Sequence, residues 1–223
     1  MVVTELACLR LKNSLPITDP SNANTHNNLL AGLKAQAEYT NANVSLLAQI
    51  EDPSYIYIIG QWESVTQHMD EWIPSPKNKD IMSGLSQDLE LVWIQHLDLD
   101  TSEQTEGEIV ERIPYLDSVI AIARYFISPG PNNKTGFEKT FNETKHRLRA
   151  FKRPRDAVGA FRVDTDFDEE GSRKEEFVLF SGWDTVEEHL SFAESDGFKE
   201  FSRIKDYMSR AEIKHASLVD RIA

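Results

Sequence analysis

Hydrophobic and β-branched residues fall into eight short runs along the chain, separated by polar segments and by stretches with helical periodicity. Runs of this kind are typical of β-strands. Those in the first half are Val3–Leu11, Ser45–Ile50, Tyr55–Trp62 and Leu89–Leu99, and those in the second half are Val119–Ile127, Val158–Val163, Phe177–Trp183 and Ile213–Val219. Each half therefore predicts the order strand, helix, strand, strand, helix, strand.

Three capping boxes mark predicted helix starts, because a Ser or Thr followed three residues later by Glu or Gln satisfies backbone N–H groups at a helix N-terminus. Ser64–Gln67 and Thr185–Glu188 lie directly after the third strand of each half. Thr135–Glu138 follows the first strand of the second half. Pro74 and Pro76 predict a break in the second helical region of the first half.

An internal repeat relates the two halves. QWESVTQH at Gln61–His68 matches GWDTVEEH at Gly182–His189 at an offset of 121 residues. Further matches, at slightly different offsets, pair Ser75–Ile81 with Ser195–Phe201, Trp93–Leu99 with Glu212–Leu218, and Leu6–Leu11 with Ile120–Tyr125. Two copies at this spacing indicate a duplicated domain. We predict a first unit over 1–100, a linker over 101–113 and a second unit over 114–223.

The charge of the chain bears on its partners. The 223 residues carry a formal charge of −13, and residues 1–107 hold 5 Lys and Arg against 15 Asp and Glu. Nucleic acids and anionic membranes both favour basic surfaces, so neither is expected as a general partner. No apolar run reaches membrane-spanning length, and the single Cys8 fits a reducing compartment. We therefore predict a soluble, cytoplasmic protein.

The repeated segment resembles a known fold family. In each half a strand ends in Trp-Glu-Ser or Trp-Asp-Thr, a His follows six residues after that Trp, and a Ser-containing break precedes a second helix. This pattern resembles the dimeric α+β barrel superfamily, and within it the antibiotic-biosynthesis monooxygenase type, over nearly the whole chain. The resemblance implies two ferredoxin-like βαββαβ units with antiparallel sheets and a ligand pocket between sheet and helices. It also implies a barrel formed within one chain, a pseudo-dimer that can assemble further into a homodimer.

The heme-degrading branch of the superfamily is not expected. The resemblance implies that a member of this branch needs a Trp ten residues after the strand-end Trp, a His ten residues further on, and an Asn in the first strand. Trp72 meets the first requirement, but Met82 stands at the ligand position and Val3–Leu11 contains no Asn. In the second half, Ala193 and Arg203 occupy the two later positions when the offset is held constant.

Two matching histidines, His68 and His189, are the candidate catalytic residues. A histidine beside a pocket can act as acid, base or oxyanion partner. The structural alternative is that each ring lies over the preceding Trp62 or Trp183 and only holds the fold. His96 and His215 match in the last strands, where a structural hydrogen bond is the corresponding alternative; the sequence leaves both open.

Candidate substrate-binding residues are Arg10, Arg124, Tyr57, Trp72 and Tyr125. An Arg among apolar strand neighbours either binds an anion inside or points outward. The aromatic residues can line a pocket for an aromatic substrate, although aromatic side chains on strands also serve as core. Because the first half carries Trp72, we expect the functional cavity there.

The basic segment Lys145–Arg155 stands out in an acidic chain. It predicts either a docking site for an acidic carrier protein or phosphate-bearing substrate, or cations that complement a helix C-terminus.

Among cofactor and metal motifs, GxGxxG, GxxxxGK[ST], HExxH, CxxC and GxSxG are all missing from the sequence. We therefore expect no cofactor and no metal. The resemblance implies a cofactor-independent tailoring enzyme, a monooxygenase or cyclase-like catalyst of secondary metabolism, acting on a small aromatic or polyketide-like metabolite. The alternative is a non-catalytic ligand-binding or stress-associated barrel.

Overall fold

The computed structural model of the chain describes residues 1–99, 112–164, 166–167 and 174–222. The eight strands are β1 (Val3–Leu11), β2 (Val44–Gln49), β3 (Tyr55–Trp62), β4 (Leu89–Leu97), β5 (Val119–Ile127), β6 (Ala157–Phe161), β7 (Glu176–Trp183) and β8 (Met208–Ile222). The α-helices are α1 (Ala23–Thr40), α2 (Pro76–Leu85), α3 (Asn133–Arg149), α4 (Val186–Phe192) and α5 (Asp196–Phe201). Short 3-10 helices cover Pro20–Asn22 and Ser202–Tyr207, and a π-helix covers Gln67–Trp72.

The eight predicted strands are all present, most within two residues of their predicted ends. The exception is β8, which begins at Met208 and ends at Ile222. Its first residues include exposed Ser209 and Arg210, which interrupt the apolar signal that marks a strand in sequence. The prediction that α3 begins at a Thr135 capping box was wrong, because the helix begins at Asn133 without a side-chain cap.

The other two helix-start predictions were confirmed. The Gln67 N–H donates to Ser64 Oγ over 3.0 Å, and the Glu188 N–H donates to Thr185 Oγ1 over 3.1 Å. The predicted break also occurs, since the chain turns after the π-helix and α2 starts with Pro76 at its first position. Proline suits that position because its missing N–H would have no partner inside the helix.

The first compact unit contains β1 to β4 and the end of β8 from Ala216. Its strand order is β4-β1-β3-β2, with β8 next to β2, and the measured pairings are antiparallel. One sheet face packs on α1 and α2. The core on that face includes Ala7, Leu9, Leu11, Leu29, Leu33, Leu46, Ile56, Ile58 and Leu85. Residues that alternate with these in each strand lie on the other face.

The second compact unit contains β5, β6, β7 and the first part of β8, as far as His215. Its strand order is β8-β5-β7-β6. The core beneath its helices is rich in aromatic rings, including Phe137, Phe141, Phe177, Trp183, Phe192 and Phe201.

The same strand order, last strand, first, third, second, thus recurs in both units. Within the described residues the chain is an α+β protein, and the strand pairings measured inside each unit are antiparallel. The tandem duplication, the barrel within one chain and the boundaries 1–100, 101–113 and 114–223 stay predictions, and most of the predicted linker lies outside the described residues. Within the described ranges, no helix is both long enough and apolar enough to cross a membrane.

Candidate functional site

A buried carboxyl group lies between the sheet and α1 in the first unit. Glu5, on β1, is 4% exposed. Its Oε2 atom accepts hydrogen bonds from Trp62 Nε1 over 2.8 Å and from Gln36 Nε2 over 2.7 Å. Burial raises the pKa of Glu5, and these two hydrogen bonds only partly oppose that effect because they favour the charged form. Strands β1 and β3 and helix α1 together hold this carboxyl group.

Two imidazole rings, those of His68 and His96, lie next to Glu5 and extend this group of buried polar side chains. His68 Nε2 lies 3.9 Å from Glu5 Oε2, and His68 Nδ1 lies 2.8 Å from His96 Nε2. Because His68 Nδ1 and His96 Nε2 are only 2.8 Å apart, one of these two nitrogens carries the proton that the other accepts. The two histidines are 2% and 1% exposed. Carboxyl and imidazole groups from β1, the π-helix and β4 therefore form one buried chain of titratable groups.

The indole ring of Trp62 stacks against the imidazole ring of His68 and fixes its position. The two rings stack with their centroids 4.0 Å apart and 7° between their planes. This is the stacking that the structural alternative predicts for His68. The same geometry also fixes the imidazole toward His96, so the stacking suits both alternatives.

Two further aromatic rings, Tyr39 and Trp72, cover this stacked pair and form a three-ring cluster with Trp62. Tyr39 and Trp72 lie 5.0 Å apart, and the ring of each is 6.2 Å from that of Trp62. Trp72 is buried, whereas Tyr39 is 43% exposed and its hydroxyl donates to Glu71 Oε2 over 3.3 Å. Tyr39 is therefore the outermost ring of the cluster.

Gly60 makes room for the carboxyl group. It is the register partner of Glu5 in β3. A Cβ atom at this position would collide with Gln36 Nε2 and would lie 3.1 Å from Glu5 Oε2. Glu5 and Gln36 can therefore make contact only because glycine, at position 60, has no side chain.

The second unit repeats the tryptophan and the two histidines. His189 stacks on Trp183 with centroids 4.4 Å apart, and His189 Nδ1 lies 2.7 Å from His215 Nε2. The sequence match of His68 with His189 and of His96 with His215 therefore corresponds to the same contact in each unit. Duplication of a contact favours neither the catalytic nor the structural alternative.

The carboxyl group is what differs between the units. Ala121 pairs with Ser181 as Glu5 pairs with Gly60, so Ala121 holds the position of Glu5. Trp183 Nε1 donates to Ser181 Oγ over 2.9 Å instead of to a carboxyl oxygen.

A buried guanidinium group also lies on the tryptophan of the second unit. Arg155 lies 4.0 Å above the Trp183 ring and donates to Gly182 O over 2.6 Å. It further donates to Phe151 O over 2.7 Å and to Glu188 Oε1 over 3.0 Å. Both terminal nitrogens, Nη1 and Nη2, thus donate to groups of their own unit, which fits a structural role.

The match of Trp72 with Ala193 was wrong. The cap residue Ser75 follows His68 by seven positions, but the cap residue Ser195 follows His189 by six. The first unit therefore has one extra residue here, and the π-helix accommodates it through a bond from the Ile73 N–H to His68 O of 2.9 Å.

Phe192 is the structural counterpart of Trp72. Phe192 lies 6.1 Å from Trp183 and 5.2 Å from Phe151. These distances match those of Trp72 to Trp62 and to Tyr39. The three-ring cluster therefore exists in both units, and Trp72 does not distinguish the first.

The structure does not bring Arg10 and Tyr57 to this cluster. Both lie on the sheet face away from α1 and α2, where the Tyr57 hydroxyl accepts from Gln49 Nε2 over 2.6 Å. Arg10 lies near the surface, with Nη1 3.8 Å from Glu90 Oε1 and its side chain 42% exposed. This agrees with the outward alternative for Arg10.

Arg10 and Arg124 are also not equivalent, which corrects the sequence match between them. Arg10 pairs with Tyr55, seven residues before Trp62, whereas Arg124 pairs with a residue five before Trp183. Arg124 donates to both carboxyl oxygens of Glu176, over 2.5 and 3.1 Å, so its charge is balanced within the second unit.

Tyr125 belongs to the core of the second unit. It is buried, with its ring 5.7 Å from Phe137, and burial raises the pKa of its hydroxyl. The position agrees with the core alternative for strand aromatics.

The basic segment Lys145–Arg155 makes several ion pairs inside its own unit. Arg147 binds Glu200 over 2.9 Å, and Arg153 binds Asp117 and Asp184 over 2.6 and 2.7 Å. These contacts fit an intramolecular role, and docking of an acidic carrier stays a prediction. Among the described residues, no group of three or more His, Cys, Asp or Glu side chains is arranged to hold a metal ion.

Sequence reasoning missed Glu5, Gln36 and Gly60. A charged residue inside the apolar run Val3–Leu11 was a usable signal, because an ionisable side chain on the core face of a strand requires partners. The sequence did not indicate which partners these were, since they come from β3 and α1.

Comparisons with known proteins show which solved structures have a similar fold. No protein-family model matches the sequence, and no curated protein matches it. An anthrone oxidase-like protein is similar in structure, with a TM-score of 0.63, 10% identity, and coverage of 99% of this chain and 92% of that chain. A candidate monooxygenase of Fusobacterium nucleatum has a TM-score of 0.61 and 11% identity, with 99% and 93% coverage.

A dye-decolorizing peroxidase of Bacteroides thetaiotaomicron is also similar, with a TM-score of 0.57, 9% identity, and 97% and 92% coverage. Identities this low show the fold alone. The fold is that of the ferredoxin-like, dimeric α+β barrel proteins, which supports the family resemblance at the level of fold.

Proposed function

We propose that the chain is a cofactor-independent tailoring enzyme, a monooxygenase or cyclase-like catalyst, that acts on a small aromatic or polyketide-like metabolite at the first unit. The observation that carries the proposal is that the side chains of Glu5, His68 and His96 lie next to one another, buried between the sheet and the helices. The fold likeness to an anthrone oxidase-like protein and to a candidate monooxygenase supports the same reaction class.

The hydrogen-bonded imidazoles suit the first step of such a reaction. A neutral imidazole can take a proton from an acidic C–H or O–H group of a bound substrate. The resulting carbanion or phenolate can then transfer an electron to dioxygen directly, or attack a carbonyl carbon in a cyclisation. In this scheme the protein contributes the base and an apolar, water-poor environment, which strengthens the electrostatic interactions of the ions formed.

Anthrone provides a direct test. In the balanced reaction, anthrone and one dioxygen give anthraquinone and one water: the methylene carbon loses a proton, a hydroperoxide forms at that carbon, and water then leaves. Oxygen consumption at neutral pH, with anthraquinone measured by its absorbance, should exceed the rate of buffer alone. Gln substitutions at His68 or His96 should lower this rate on the order of a hundredfold, the usual contribution of a general base.

The second unit supplies the matched controls. His189→Gln and His215→Gln alter the corresponding imidazole pair, beside which Ala121 takes the place of Glu5. We expect these variants to keep most of the activity. If they lose activity as strongly as the first-unit variants while still melting cooperatively, the assignment to the first unit is wrong.

The second candidate function is a non-catalytic ligand-binding barrel. The near-complete burial of His68 and His96 and the stacking of His68 on Trp62 favour it, because both suit residues that hold the fold. In that case anthrone should not be oxidised above background, and the His68 and His189 variants should lose similar amounts of stability, roughly 0.5–3 kcal/mol.

A further inference from the structure

We infer that the side-chain amide of Gln95, on the sheet face of the first unit away from α1 and α2, binds a small uncharged ligand through a cyclic-amide group of that ligand. Gln95 precedes His96 in β4, and the two side chains lie on opposite faces of the sheet. The site is therefore separate from the group formed by Glu5, His68 and His96, and the inference does not depend on the proposed function.

The register of β4 with β1 places Gln95 on this face. Gln95 pairs with Leu6, whereas His96 pairs with Glu5. Ala7 belongs to the core beneath the helices and follows Leu6 in β1. Because successive residues of a strand point to opposite faces, Leu6 and Gln95 lie on the face away from the helices.

Gln95 is buried without a hydrogen bond to its side chain. The residue is 1% exposed, and among the described residues neither its Oε1 nor its Nε2 atom has a hydrogen-bond partner. An amide that is removed from water without new hydrogen bonds destabilises the folded state, so nearly all buried polar groups in proteins have partners. The amide of Gln95 thus points to a partner that comes from outside the chain.

A second buried glutamine on the same face shows the usual arrangement. Gln49, at the end of β2, is 5% exposed, and its Nε2 donates to the Tyr57 hydroxyl over 2.6 Å. Burial on this face therefore does not by itself leave a glutamine amide unpaired.

The neighbours of Gln95 determine what kind of partner fits. Leu6, directly opposite, and Leu97, two residues further along β4, are fully buried and have no polar side-chain atoms. A buried water molecule typically makes about three hydrogen bonds, which such apolar surroundings do not favour. A ligand with an apolar body can pack against the two leucines and needs only the amide for its polar group.

The amide of Gln95 determines the chemical group of the ligand. Its Oε1 atom accepts hydrogen bonds and its Nε2 atom donates them, side by side in one plane. A cyclic amide presents an N–H group beside a C=O group in the same way, so it can make two hydrogen bonds with Gln95 at once. A charged group is not favoured, because a buried ion requires an opposite charge and the amide carries none.

Trp93 gives the ligand a ring to pack against and a way in. It lies two residues before Gln95 in β4, on the same face, and its ring is 6.1 Å from that of Tyr57. Exposure falls along β4 from exposed Val92 through half-buried Trp93 to buried Gln95. The pairing of β4 with β1 also shifts register beside Trp93, and such a bulge disrupts the strand pairing locally. Rotation of the Trp93 side chain therefore opens a path from solvent to Gln95.

The second unit has a different residue at this position. His96 and His215 make the same contact in each unit, and the residues that precede them are Gln95 and Lys214. Lys214 is half-buried and ends in an ammonium group, which cannot accept a hydrogen bond. We therefore expect the cyclic-amide site in the first unit alone.

The pair 2-pyridone and N-methyl-2-pyridone tests the inference on the unmodified chain. Both have the same ring and carbonyl group, but only 2-pyridone has an N–H group beside the carbonyl. In an NMR titration of isotope-labelled protein, 2-pyridone should shift the side-chain amide signals of Gln95 until the site is saturated. N-methyl-2-pyridone should bind at least about tenfold more weakly, because Oε1 of Gln95 then stays without a donor.

Gln95→Met identifies those amide signals, since they disappear in the variant, and it separates binding from packing. Methionine keeps the length of the side chain but has no amide, so the affinity for 2-pyridone should fall at least about tenfold. The urea midpoint of the variant should rise, because an unpaired amide leaves the protein interior. Gln49→Met is the matched control. Its urea midpoint should fall, since the hydrogen bond to the Tyr57 hydroxyl is lost.

Equal binding of the two pyridones, or no shift of the Gln95 signals by either, would overturn the inference. An unchanged affinity of Gln95→Met for 2-pyridone would do the same. A urea midpoint that falls as far in Gln95→Met as in Gln49→Met would show that an ordered water or another structural partner holds the amide, which also contradicts the inference. None of these measurements involves anthrone or oxygen, so failure of the inference and failure of the proposed enzyme are distinguishable.

Discussion

Trp62 donates its indole Nε1 proton to Glu5 Oε2 over 2.8 Å, and this bond joins the aromatic cover of the first unit to its buried carboxyl group. In the second unit, Trp183 makes the corresponding bond to the hydroxyl group of Ser181. The two units thus use the same aromatic framework around different polar partners, and the difference leads to measurable consequences.

Glu5→Gln should change how stability depends on pH. Burial raises the pKa of Glu5, so the folded state holds this proton more strongly than the unfolded state. The wild-type free energy of unfolding should therefore fall as pH rises from the ordinary carboxyl range to the raised value. Urea unfolding across that window should show a smaller fall for Glu5→Gln, whereas parallel curves for the two proteins would contradict the prediction.

Gly60→Ala should destabilise the first unit. The new methyl group would collide with Gln36 Nε2 and crowd Glu5 Oε2, at an expected cost of about 1–3 kcal/mol. Gly84→Ala is the matched control, because Gly84 lies in α2 with open space around it. That control should gain roughly 0.5–1 kcal/mol from reduced backbone freedom. Thermal or urea unfolding measures both, and a neutral Gly60→Ala would contradict the crowding argument.

Trp72→Phe should be tolerated because Phe192 already fills the equivalent position in the second unit. We expect a loss below about 1.5 kcal/mol for this conservative change. Trp72→Ala and Phe192→Ala should each lose about 3–5 kcal/mol, since both leave a large cavity beside a tryptophan. Unequal losses in the two alanine variants, measured by urea unfolding, would argue against equivalent packing.

Deletion of Asp70 should convert the π-helix to an α-helix. Asp70 is exposed, and its removal gives the first unit the His-to-ring spacing that the second unit has between His189 and Phe192. Trp72 should then still reach Trp62, so the free energy of unfolding should change by no more than about 1 kcal/mol. Urea unfolding followed by tryptophan fluorescence measures this. A large loss of stability would show that the extra residue is needed for packing.

The sequence by itself determined the elements and their order. The apolar, β-rich runs Val3–Leu11 and Tyr55–Trp62 became strands at their predicted ends, and the caps at Ser64 and Thr185 formed as predicted. These features depend on the residue types within a short run and on hydrogen bonds within a few residues. Local physical chemistry is sufficient to specify them.

Only the tertiary structure decided which residues meet. Glu5 finds Gln36, Trp62 and His68 because β1, α1, β3 and the π-helix converge on it, and none of these contacts is local in sequence. Sequence comparison at a constant offset also paired Trp72 with Ala193, because an extra residue taken up by a π-helix leaves the ring in place and shifts only the numbering.

The register of β1 and β5 shows the same limit. Arg10 and Arg124 look equivalent in sequence, yet their partners in the third strands place them two residues apart. A shift of two residues keeps a side chain on the same face, so the apolar pattern is the same in both alignments. Backbone pairing with the neighbouring strand is what distinguishes them, and that pairing forms only when the sheet assembles.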